Sequence, residues 1–297
     1  MDRQVQRFYQ KGLSANARGN WLLALQHFQK CTELDASCAQ AYYEIGMLYY
    51  KRGQHEQALE YMQKAVEQNT SDVQVHFALA NIYLMSDQPR KAIEIYHKIE
   101  QFEEEPTSAL YLNLGIAYGA TGDNPKAIFY LEKSIHLAPH NVETLNSLGR
   151  VYFDMNQLDK AKAIFQRVIR LNPNNPGGHQ MLGHVYAKEA QWQKAIHEWD
   201  QVLAVFPNRE DILHQVGRAW NKLNETDKAI SMLKKVLEIN PSNIQAHLDL
   251  GVIFLSIKFY DHAIQEFTSA EYLDPENPII KQLLSDANRL KRLYSRR

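Results

Sequence analysis

Eight alanines, Ala24, Ala58, Ala92, Ala127, Ala161, Ala195, Ala229 and Ala263, stand 34 residues apart, with a single interval of 35 between Ala92 and Ala127. Seven of the 13 glycines (Gly12, Gly46, Gly115, Gly149, Gly183, Gly217, Gly251) lie twelve residues before one of them. A length of 297 residues would by itself suggest two domains, at about 150 residues each. A fixed period of this size overrides that division, because it marks supersecondary units stacked in one dimension, each contacting only its neighbours. The period divides the chain into eight units, at about 5–38, 39–72, 73–107, 108–141, 142–175, 176–209, 210–243 and 244–277. A further segment, about 278–294, follows them, and the whole is expected to form a single array over 1–297.

The fourth unit shows what each one builds. Tyr111, Leu114, Gly115 and Tyr118 fall at i, i+3, i+4 and i+7, which predicts one apolar face of a helix with glycine where a neighbour approaches closely. Thr121-Gly122-Asp123-Asn124 breaks that helix, and Pro125 suits the first turn of the next. Ala127, Ile128, Leu131, Ser134 and Ile135 then form a second stripe, which Pro139 stops. A helical hairpin of this kind cannot cover its own apolar faces, so its neighbours must. The same columns recur along the chain. The aromatic column of the first helix reads Tyr49, Tyr83, Tyr118, Tyr152, Tyr186, Trp220 and Phe254, with Ala15 in the first unit. Proline ends the last five units, where Ala36, Thr70 and Glu104 stand in the first three. After Pro278, Ile280, Leu283, Leu284, Ala287 and Leu290 predict an amphipathic capping helix with Lys281, Asp286, Arg289 and Lys291 on its other face.

Gly and Tyr three residues apart, Ala opening the second helix and Pro closing it, as in Leu148-Gly149-Arg150-Val151-Tyr152 followed by Ala161, Phe165 and Pro173, resemble the tetratricopeptide repeat family. The resemblance covers about nine tenths of the chain; only the third unit departs at the glycine, with Ala80. It implies an all-α, right-handed superhelical solenoid of antiparallel helix hairpins. It also implies a scaffold that binds a peptide or partner protein in a concave groove lined by the first helices.

By that resemblance, a second stripe on each first helix faces the groove. In the first part of the chain it comprises Tyr43, Met47 and Tyr50, then Phe77, Asn81 and Met85, then Leu112, Asn113 and Ile116. Farther on it comprises Asn146 and Arg150, then His184 and Lys188, then His214, Arg218 and Lys222. The first group suits an amphipathic helix or an extended hydrophobic segment. The second suits acidic side chains or a terminal carboxylate. Each has a plainer reading, as side chains packing between adjacent hairpins or as an ordinary solvated helix face neutralised by Glu143, Asp154 and Asp211. Two specialised sites of the family do not match. For a carboxylate clamp only Asn81 and Asn113 agree. The position of an asparagine ladder reads Gln10, Glu44, Ala78, Asn113, Ser147, Met181, Gln215 and Asp249.

Composition closes other routes. The balance of 33 Lys+Arg against 34 Asp+Glu gives a net charge of −1, which speaks against nucleic-acid binding, although helical-repeat RNA readers share a similar period. Two cysteines, Cys31 and Cys38, supply neither a disulfide framework nor a zinc set. His136 and His140 flank Pro139, and His184 and His214 lack a third positioned ligand, so no metal and no cofactor are expected. No nucleophile elbow, phosphate loop or metalloprotease helix occurs, so no enzyme is expected. No run approaches the ~20 apolar residues of a membrane span, and residues 4–30 already follow the repeat rather than a signal-peptide pattern, which predicts a cytoplasmic protein without membrane insertion. The extra residue near Gln101-Phe102-Glu103-Glu104-Glu105-Pro106 reads as a loop insertion, with a hinge or contact loop as the alternative. The expected function is therefore protein–protein interaction, with self-association open, and with a recruiting or regulatory module of an enzyme or secretion machine as the alternative.

Overall fold

The computed structural model describes residues 2–69, 71–102 and 104–294, which leaves Thr70 and Glu103 of the sequence reading outside it. The described residues form seventeen α-helices and no strand. Where the period predicts one array, contacts between residues divide the chain into two compact units, Met1–Val151 and Tyr152–Arg297.

The first unit holds four hairpins: α1 (Arg3–Ala17) with α2 (Trp21–Leu34), α3 (Ala39–Tyr50) with α4 (His55–Gln68), α5 (Val73–Met85) with α6 (Pro89–Phe102), and α7 (Ser108–Ala120) with α8 (Asn124–Leu137). It ends within α9 (Val142–Asp154). The second unit continues through α10 (Leu158–Leu171) to three hairpins: α11 (Pro176–Lys188) with α12 (Trp192–Val205), α13 (Glu210–Lys222) with α14 (Thr226–Ile239), and α15 (Ile244–Ser256) with α16 (Tyr260–Leu273). Helix α17 (Pro278–Tyr294) packs on α16 and buries Ile280 and Ala287, as the predicted cap requires. No helix among the described residues is long and apolar enough to cross a membrane.

Both recurring columns have a physical cause. All eight alanines are fully buried. Four residues after each lies a large side chain, Phe28, Met62, Tyr96, Leu131, Phe165, Trp199, Leu233 or Phe267, with at most 1% of its surface exposed. Burial of a side chain this size stabilises by about 1.5–3 kcal/mol. The glycine column makes room for it. A Cβ placed on Gly115 would lie 2.5 Å from Leu131 Cγ and 3.2 Å from the Ala127 carbonyl oxygen, so only a hydrogen fits there.

The bend of each hairpin repeats as strictly as its core. Residues 19, 53, 87, 122, 156, 190, 224 and 258 all have positive φ, as Gly19, Gly53, Asp87, Gly122, Asn156, Ala190, Asn224 and Lys258. The next backbone N–H donates back to the carbonyl of the aromatic column, as from Asp123 to Tyr118 at 3.0 Å and from Gln191 to Tyr186 at 2.8 Å. This is the six-to-one closure that satisfies the otherwise orphaned carbonyls of a helix end. The second helix then starts on a fresh cap; in the fourth hairpin, Asp123 accepts from the Lys126 N–H ahead of a first turn containing Pro125. The second helices stop short of the predicted prolines: α8 ends at Leu137, and Ala138 rather than Pro139 is its C-cap. The irregular interval lies between α6 and α7, where Phe102 is 77% exposed and Thr107 caps α7.

Candidate partner-binding face

A first helix meets the next first helix along one face, and the polar pairs that bridge them identify that face. In the first unit, Asn113 on α7 donates through Nδ2 to Asn81 Oδ1 on α5 at 2.8 Å, and the hydroxyl of Tyr96 donates to the same oxygen at 2.5 Å. Burial, together with the nearby carboxylate of Glu44 on α3, pushes the phenol of Tyr9 on α1 up to about 12. Burial also raises the Glu44 carboxyl, only partly countered by Lys51. In the second unit, His214 Nε2 on α13 lies 2.9 Å from Asp249 Oδ2 on α15. Three predicted site residues, Asn81, Asn113 and His214, take part in these bridges.

The remaining predicted residues of the first unit sort by exposure. Tyr43, Met47, Tyr50, Phe77, Ile116 and Asn146 are half-buried, Arg150 is exposed, and Met85 is 61% exposed. Phe77 meets Tyr96 edge-on at 5.7 Å between ring centroids, which fixes one end of the aromatic row. Leu112 is the correction: it is 5% exposed, so it belongs to the packing between hairpins and offers no surface to a partner.

In the second unit the cations are largely engaged by the fold. Arg218 Nε stands 3.7 Å from Asp249 Oδ2, so one carboxylate faces both His214 and Arg218. Lys188 lies 4.0 Å over the Phe153 ring, and its Nζ donates to the Phe153 carbonyl at 3.4 Å. His184 packs edge-on against Trp199 at 5.5 Å, and burial lowers its pKa against the opposing influence of Asp211. Asp211 itself is held by Arg209 at 2.6 Å. Lys222 is exposed. Asp249 stands at the asparagine-ladder position, and its carboxylate lies beside both His214 and Arg218 of the basic stripe. Asp249, Glu44 and Tyr96 are not among the predicted site residues. Glu44 and Asp249 share one signal, a polar residue two positions before the glycine and opposite a polar residue of the preceding first helix, whereas Tyr96 lies on a second helix and carries no such signal. Among the described residues, no three His, Cys, Asp or Glu side chains gather closely enough to hold a metal ion.

Models of the tetratricopeptide repeat match residues 37–100 in one form and residues 120–185 and 222–287 in another, together about two thirds of the chain. The chain belongs to the tetratricopeptide repeat family. Solved members carry the same fold. The C-terminal part of a tetratricopeptide repeat-containing protein from Cytophaga hutchinsonii aligns over 82% of this chain and 99% of that part, with a TM-score of 0.65 at 16% identity. MamA aligns over 55% of this chain and 95% of its own, with a TM-score of 0.53 at 25% identity. PilW, a widely conserved type IV pilus biogenesis factor, aligns over 70% of this chain and 96% of its own, with a TM-score of 0.63 at 16% identity. No curated protein matches the chain by sequence. Tetratricopeptide repeats are protein-interaction scaffolds, and that general role follows for this chain.

Proposed function

We propose that this chain is a non-catalytic tetratricopeptide scaffold that binds another protein through the first helices of its N-terminal unit. The observation that carries the reading is the row of Tyr43, Met47, Tyr50, Phe77 and Met85, aromatic and thioether side chains left partly or largely exposed on the face where first helices meet. Rigid aromatics and adaptable methionines bury large areas at little entropic cost, which suits an amphipathic helix or an extended apolar segment. The polar residues Asn81, Asn113 and Asn146, with exposed Arg150, give such a segment its polar margin, and Ile116 adds a partly buried apolar contact. The basic residues His184, Lys188, His214, Arg218 and Lys222 form a weaker candidate, because Asp249 and Phe153 already engage three of them.

The eight hairpins act as one scaffold in this reading, so urea unfolding should show one cooperative transition; two resolved transitions would divide it. The cytoplasm is the compartment assigned, a reducing medium that suits the two free thiols, Cys31 and Cys38. Recovery of the native protein from the periplasmic or secreted fraction would overturn that assignment. The binding claim is tested by affinity capture with the full chain and with Tyr43→Ala/Met85→Ser. Loss of the same captured protein from the variant, with its helix content and melting unchanged, is the expected result. Equal capture by both removes the aromatic row from the site.

A further inference from the structure

The first hairpin departs from every other at the positions that join hairpin to hairpin. One, two and more periods along, the equivalents of Arg7 are Ala41, Val75, Leu110, Thr144, Gly178, Ile212 and Ala246, all buried. The equivalents of Lys11 begin with Ile45, Leu79 and Leu114, and those of Ser14 with Leu48, Ile82 and Ala117; these are buried too. In α3 this face inserts into the preceding hairpin, with Ile45 and Leu48 packed among Ala15, Ala24 and Phe28, and Ala41 against Val5 and Cys31. In α1 the same face carries exposed Arg7, Lys11 and Ser14.

A polar outer face alone would be expected of a terminal hairpin. The sign of the charge decides the matter. No Asp or Glu occurs from Arg3 to Thr32, although the whole chain has a net charge of −1. Arg7, Lys11, Ser14, Arg18, Leu23 and His27 line one hollow of about 780 Å³ between α1 and α2, and no carboxylate contributes to its described lining. The capping helix at the other end shows the contrast, since there Arg289 pairs with Asp286 at 3.0 Å and Lys281 with Glu276 at 3.7 Å. Leu23, 40% exposed beside the cations, adds an apolar contact.

We propose that the outer face of the first hairpin is a second docking site, which takes an acidic amphipathic helix of a partner protein. Helical shape follows from the place of this face in the repeat, where each later hairpin receives helices. Arg7 and Arg18 stand eleven positions apart, about 16 Å or three turns of helix. Acidic side chains one turn apart meet Arg7 and Lys11, which stand one turn apart, and apolar residues of the partner cover Leu23. Cations of one sign in a hollow concentrate an anionic partner and hasten its encounter, with a strong dependence on salt.

The test uses the full chain and a labelled peptide of about five helical turns with Glu at i,i+4 beside a leucine stripe. Fluorescence anisotropy follows its binding to wild type, to Arg7→Glu/Lys11→Glu/Arg18→Glu, and to Lys234→Glu/Lys235→Glu, a pair exposed on α14 outside both candidate sites. All five substituted side chains are partly or fully exposed, and circular dichroism confirms folding. The expected result is salt-sensitive binding that the first variant weakens by about tenfold or more and the second leaves unchanged. Absence of binding, equal binding by the first variant, or equal binding of a scrambled peptide of the same composition overturns the proposal. So does adsorption to phosphatidylserine vesicles, or to single-stranded RNA, that the first variant abolishes while the peptide does not compete.

Discussion

The glycine column sets up a paired experiment within a single helix. Gly115 and Gly119 lie one turn apart in α7, and Gly→Ala at either removes about 1 kcal/mol of intrinsic helix penalty. Space separates the two cases. At Gly119 a Cβ would meet Val151 Cγ2 at 3.8 Å and Ala127 Cβ at 3.9 Å, both ordinary van der Waals contacts. At Gly115 it would lie 2.5 Å from Leu131 Cγ and 2.8 Å from Leu131 Cδ2. Leu131 is fully buried and is struck at its branch point, so no flexible end can swing aside. The Ala127 carbonyl at 3.2 Å blocks a retreat of α7 without separating the two helices. Overpacking a dense core costs about 1–3 kcal/mol, and opening the α7–α8 interface adds lost contacts of similar size. Gly115→Ala is therefore expected to destabilise by roughly 1–3 kcal/mol after the propensity gain, while Gly119→Ala stabilises by up to about 1 kcal/mol. Urea unfolding followed by circular dichroism reads both from the shift in midpoint at unchanged slope. A Gly115→Ala protein as stable as wild type would show that the close helix approach is not what the period preserves.

Three further outcomes follow from particular residues. Ala190 and Lys258 occupy the left-handed bend that glycine fills in three other hairpins, so Ala190→Gly and Lys258→Gly should each stabilise by about 0.5–1 kcal/mol in the same urea assay; destabilisation would mean that their side chains hold the bend. Asn81→Leu strands the hydroxyl of the fully buried Tyr96 and the Nδ2 of Asn113, with an expected loss of about 1–3 kcal/mol, and a neutral result would dissolve the α5–α7 polar bridge. Burial pushes the Cys31 thiol up to about 11 and raises Cys38 as well, so both stay protonated at pH 8; a disulfide reagent should modify them only after urea is added, and rapid labelling of the native protein would contradict their burial.

The fold was legible to the degree that the sequence repeats. Alanine, glycine and the aromatic column each answer a local demand that recurs every 34 residues, namely a helix crossing, a cradle for a large side chain and a bend. The hairpins and the capping helix could be placed from those columns because their cause lies within one period. The candidate site was less legible, since its polar pairs join residues a whole period apart: Asn81 to Asn113, His214 to Asp249. One stripe taken at a time leaves His214 and Arg218 as either a basic surface or a solvated face, and does not reveal that Asp249 on the next first helix stands beside both. Leu112 failed for a related reason, because apolar character and helical spacing do not distinguish a residue facing a partner from one facing the neighbouring hairpin. The basic first hairpin was hidden by a net charge that averages over the chain.

Amide hydrogen exchange of the full chain, with and without the captured partner, reads whether that partner lies on the first helices of the N-terminal unit. Added protection is expected in α3 and α5, which carry Tyr43, Met47, Tyr50, Phe77 and Met85, with α4 and α6 unchanged beyond their own stability. Protection confined to the second helices α4 and α6, with α3 and α5 unaltered, would contradict it.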